Sequence, residues 1–135
     1  MPNSLMFLGS HDARDRATRI GAARIVVGAS TFLPRPVAMR IAGLTEAEAS
    51  GTLAFFARAL GIRNAVLGAW VLASRDRPKH ERRTVYQVNA AVDAADMAVL
   101  AWAAITQRVP KRFALLAGTL GTNACLGFLA LASEA

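Results

Sequence analysis

Four apolar runs, separated by polar or proline-containing breaks, set the pattern of this chain. They cover about residues 17–34, 52–73, 84–105 and 113–131. Each is near the roughly 17 to 25 residues that an α-helix needs to cross a bilayer. The pattern predicts an all-α fold: a four-helix transmembrane bundle with short loops, with residues 1–135 forming a single membrane domain.

The breaks carry their own signals. A polar, basic stretch over residues 10–19 is expected to be a short amphipathic lead-in on the membrane surface. The first run contains Arg24 and is stopped by Leu33-Pro34-Arg35-Pro36, because proline disfavours helical geometry in the residue before it. Being the shortest of the four, it either crosses, tilts or re-enters. Thr45-Glu46-Ala47-Glu48 fits a capping box, so the second helix is expected to start there and end at the polar loop of residues 74–83. The third run holds Asn89, Asp93 and Asp96, and the short basic turn of residues 107–112 makes the fourth run its antiparallel neighbour. The fourth run has no charge, and Gly118, Gly121 and Gly127 are expected to let another helix approach closely.

Composition agrees with the bilayer as solvent. Hydrophobic residues make up 54% of the chain and mean hydropathy is +0.34, more than the surface of a small water-facing domain tolerates. A net charge of +7 raises nucleic acid as a partner. The basic residues sit between apolar runs and form no recognised binding motif, so no nucleic acid is expected. The single cysteine, Cys125, excludes an internal disulfide or a cysteine-based metal cluster. His11 and His80 lie in polar flanks and read as surface residues, so no metal and no cofactor are expected. No cleavable signal peptide is visible in Met1 to Gly9, and neither terminus carries a lipidation motif.

Lysine and arginine number eight in the N-terminal flank and middle loop, against five in the first and third loops. Positively charged flanks are retained in the cytoplasm. The expected location is therefore the cytoplasmic (inner) membrane, multi-pass, with both termini cytoplasmic. Trp70 and Tyr86 then mark the inner interface and Trp102 the outer one.

Charges inside the runs need compensation, since each costs roughly 2.5–3.5 kcal/mol at the centre of a membrane helix. At about 1.5 Å per residue, Arg24 lies roughly 10 Å and Asp93 roughly 13 Å from the same end. Arg63, at roughly 15 Å, and Arg58, at roughly 22 Å, bracket Asp96 at roughly 18 Å. An intramembrane Arg/Asp cluster of Arg24, Arg58, Arg63, Asp93 and Asp96 is feasible, with Asn89 extending the stripe of the two aspartates. Arg58 and Arg63 are five residues apart, roughly 140° around the helix, and should not share a partner. Three positive and two negative charges leave one arginine for a carboxylate, a lipid phosphate or another subunit's acid. Buried pairs of this kind fix which helices meet, and arginines hold both aspartates ionised, so no catalytic residue is assigned.

Arg19-x4-Arg24-x3-Gly28 in the first run is faintly echoed, with a one-residue offset, by Arg58-x4-Arg63-x4-Gly68 in the second; this is either chance or a duplication whose two copies cross in opposite directions as an inverted repeat. Together, Arg58-x2-Gly61-x-Arg63-x4-Gly68 and Ala91-Val92-Asp93-Ala94-Ala95-Asp96 resemble a family of small, functionally uncharacterised bacterial four-helix membrane proteins. That family is similar in size and helix count to DoxX-like proteins. The resemblance covers about residues 17–132 and implies a four-helix bundle with an Arg/Asp core. It carries over no activity.

The expected function is an accessory or structural subunit of a larger membrane assembly, with membrane lipids and either a protein partner or a second copy as partners. A module binding or transporting an anionic lipid, fatty acid or quinone-like molecule is the alternative. A small membrane enzyme comes third.

Overall fold

The computed structural model describes residues 12–135, and prolines and capping residues divide these described residues into five α-helices. They are α1 (Ala13–Ser30), α2 (Arg35–Ala42), α3 (Gly51–Ser74), α4 (Lys79–Ile105) and α5 (Lys111–Glu134). A single 3-10 turn, Glu46–Glu48, stands between α2 and α3. The fold is all-helical among the described residues. The readings placed on Met1 to Gly9, Ser10 and His11 fall outside them.

Three helices, α3, α4 and α5, are long and apolar enough to cross a membrane. The expected count of four is not reached, because α1 carries Arg14, Asp15, Arg16, Arg19 and Arg24 within its 18 residues. From Ala13 onward, the polar lead-in and the first apolar run are one helix. The Asp12 carboxylate accepts from the Asp15 N–H at 3.0 Å and starts α1 upstream of the apolar positions. α1 also ends at Ser30, short of the proline. The Ser30 and Thr31 hydroxyls donate to the Val27 and Gly28 carbonyls, each at 2.7 Å, and a tight turn follows before Pro34.

α2 lies where only a loop was expected. Pro34 and Pro36 preset its first turn, and Gly43 at φ 67° closes its C-terminus in the left-handed conformation that glycine adopts without penalty. The capping box forms: the Glu48 carboxylate accepts from the Thr45 N–H at 2.7 Å and the Thr45 hydroxyl at 2.8 Å. It starts only the 3-10 turn, however. Ser50 accepts from the Leu53 N–H at 3.1 Å and is the cap that begins α3. α4 starts at Lys79, directly after Pro78, so the second half of the expected loop is its first turns.

The helices pair as two antiparallel hairpins, α1 along α3 and α4 along α5, with sparse contact between the pairs. The first hairpin is joined by glycines. Gly21 faces Gly68 and Gly28 faces Gly61, so a Cβ on Gly68 would stand 2.5 Å from the Gly21 carbonyl oxygen. Gly121 makes the matching contact in the second hairpin, against the Met97 side chain. The buried apolar core is Ala17, Ile20, Val71, Val85, Tyr86, Ala90, Phe128, Leu131 and Ala132. All of these lie toward the chain termini and the α3–α4 turn. Tyr86 is buried and stacks on Phe128 at 6.3 Å between ring centroids. Trp70 and Trp102 are exposed.

Candidate functional site

The charged residues of α1 and α3 meet carboxylates presented by α4 and α5. Arg24 sits on the face of α1 that carries Gly21 and Gly28, one turn from each, so close packing of α1 on α3 carries its side chain inward. Its Nη1 donates to both oxygens of Asp93, at 2.7 and 2.8 Å, and its Nη2 donates to Asn64 Oδ1 at 3.0 Å. The guanidinium also lies over the Phe128 ring, 5.5 Å from its centroid, a cation–π placement. The two side chains of this pair are only 6% and 7% exposed. Breaking such a pair from one side strands a buried charge, at a cost of about 3–5 kcal/mol.

Arg63 donates to Asp96, one turn further along α4, and here the side chains are 37% and 34% exposed. Asp93 and Asp96 thus share one face of α4 and take separate arginines from separate helices. Asn89 completes the stripe and is wholly buried. Its amide donates to the Val85 carbonyl at 2.9 Å, and its Oδ1 has no partner among the described residues. Arg58 is brought to none of them. It is exposed on α3 with no partner among the described residues, and it is the odd cation of the three-to-two count.

Two further pairs extend the line. Arg16, buried on α1, donates to Glu134 at the end of α5, and Arg112 of α5 joins Glu48 and the Gly43 carbonyl. With Arg24–Asp93 and Arg63–Asp96, four ion pairs connect one hairpin to the other. Arg14–Asp76, at 2.6 Å, adds a solvated pair to the α3–α4 turn.

Sequence reasoning missed Asn64, Phe128, Arg16 and Glu134 as members of this arrangement. It also missed the glycine seam. The signal was present: Gly21 and Gly28 are seven residues apart, as are Gly61 and Gly68, and a seven-residue spacing keeps both on one helix face. Of the three α5 glycines expected to serve packing, Gly121 meets Met97 of the same chain and Gly127 is buried. Gly118 is nearly open, with only Leu100 near it at 3.8 Å. Beside it Thr122 and Asn123 are exposed, without hydrogen-bond partners among the described residues.

No family model, curated protein or solved structure matches this chain.

Proposed function

We propose that this is a four-helix integral protein of the cytoplasmic membrane, with both termini cytoplasmic, serving as an accessory or structural subunit of a larger membrane assembly. In this reading α1 is the fourth membrane helix, carried there by its partners. Arg24 is neutralised by Asp93, and the glycine seam seats α1 on α3.

One observation carries the assembly role. Asn123 lies midway along α5, the most apolar of the three long helices, and faces outward beside Gly118 and Thr122. An unpaired carboxamide facing hydrocarbon is costly, and small residues around a polar one are how membrane helices meet. Asp93 and Asp96 are each paired with an arginine, which supports a structural and not a catalytic role for them.

Mild-detergent extraction followed by native mass spectrometry tests this reading. The expected result is a stoichiometric protein partner, or a second copy, that is lost in Asn123→Leu. A lone chain in both proteins would overturn the assembly role.

The second reading, a module for an anionic lipid, fatty acid or quinone-like molecule, is favoured by Arg58, an exposed guanidinium without a carboxylate. A small acidic molecule retained by the lone protein and lost in Arg58→Ala would select it.

A further inference from the structure

We propose that α2 and the turn between α4 and α5 form an interfacial anchor that binds the phosphate layer of anionic phospholipids. The proposal rests on the membrane reading and concerns a surface separate from Arg58 and from the α5 face.

Three observations place it there. First, α2 turns an apolar side outward. Val37 and Ile41, one turn apart, are exposed, and so are Phe32 and Leu33 in the turn that precedes the helix. Such a side, on a helix too short to span, is buried at the boundary between headgroups and acyl chains. Second, α2 is not a continuation of α1. Pro34 is extended at ψ 138° and breaks the helical path, while Gly43 turns the chain back toward α3. Third, the charge at this end is unbalanced. The Arg112 contacts with Gly43 and Glu48 bring the α4–α5 turn beside the segment after α2. Arg40, Arg108 and Lys111 are exposed there and have no side-chain partner among the described residues. Glu46 is the one acid at this end in the same condition, Glu48 being held by Arg112.

Charge complementarity selects the occupant. Arg40 stands three residues from Val37 on the helix surface, so a guanidinium reaches the phosphate level while Val37 and Ile41 lie just beneath it. Arg35 is already committed, donating to the Ala49 carbonyl at 2.6 Å, and holds α2 against the start of α3. The groove lined by Arg35, Pro36, Met39, Arg40, Leu44 and Glu46 mixes both charge signs, and Arg40 is the residue it shares with the phosphate surface.

The test uses the full chain with Cys125→Ser, spin-labelled at Val37→Cys or at Leu120→Cys. Each protein is reconstituted in phosphatidylcholine vesicles with and without phosphatidylglycerol. Collision with oxygen or with a water-soluble nickel chelate reports whether a label sits in acyl chains or in water. Both labels should favour oxygen when phosphatidylglycerol is present. In parallel, native mass spectrometry should show phosphatidylglycerol retained over phosphatidylcholine. That preference should fall about fivefold for each charge removed in Arg40→Gln, Arg108→Gln and Lys111→Gln, and persist in Arg40→Lys. A Val37 label open to the nickel chelate while the Leu120 label is shielded would overturn the anchor and leave the membrane reading intact. Both labels in water would overturn both. Labels at Val37 broadening one another would assign the surface to a second copy, and an unchanged lipid ratio in the triple variant would remove the phosphate role.

Discussion

The Arg24 guanidinium is held by a carboxylate, a carboxamide and an aromatic face, each from a different helix. Its partner is what makes its burial tolerable. Asp93→Ala should therefore cost about 3–5 kcal/mol in detergent unfolding or fall sharply in abundance, while Arg24→Leu with Asp93→Leu should recover most of the loss. Equal damage in the single and double variants would rule out pairing as the cause. At the solvated end, Glu48 is held below its ordinary value of 4.5 by the Thr45 backbone N–H first, then by the Thr45 hydroxyl and Arg112. A lowered folded value places the sign: the contribution is complete above 4.5 and disappears as pH falls through the lowered value. The Thr45 amide should lose its exchange protection over that acidic interval, and Glu48→Gln should show the weakened protection already at neutral pH. Sequence depth arithmetic put Arg24 level with Asp93 and Asp96 between Arg58 and Arg63. It could not see Asn64 or Phe128, because a rise per residue gives height along a helix and not the direction a side chain takes toward a third or fourth helix.

Between helices, the glycine seam and the Met97 contact look alike in sequence but differ in what a methyl group would strike. On Gly28 an added Cβ meets the Gly61 carbonyl and the Ala65 backbone N–H, which cannot step aside without moving the helix. On Gly121 it meets the flexible end of Met97. Gly28→Ala should thus destabilise the protein by about 1–3 kcal/mol or more, and Gly121→Ala by clearly less, in matched thermal-unfolding measurements. Comparable losses would mean the seam is looser than its backbone contacts imply. The long helices α3, α4 and α5 were legible to within a few residues because their apolar runs are continuous and bounded by polar turns. α2 was not, since eight residues give too little periodicity to stand out. Its markers, paired prolines before and a glycine after, are also the markers of a turn. The start of α4 was hidden for a related reason: Lys79 to Arg83 are polar enough to read as loop, yet they follow a proline and simply extend the helix beyond its apolar part.

Across the whole molecule, helix packing is concentrated within each hairpin, while the hairpins are joined to each other by ion pairs and, toward one end, by the shared apolar core. Core side chains lie toward one end, and at the other end Arg112 with Glu48 and Gly43 supplies the tie. Such a division has a consequence for how the protein is made. Arg24 emerges from the ribosome 69 residues before Asp93, an interval of roughly 3 to 14 s at ordinary rates of synthesis. During that interval the carboxylate that pairs with Arg24 in the folded protein has not yet been translated. In the membrane reading, α1 is therefore secured only once α4 has been made, so nascent chains stalled ahead of Asp93 should leave it open to protease.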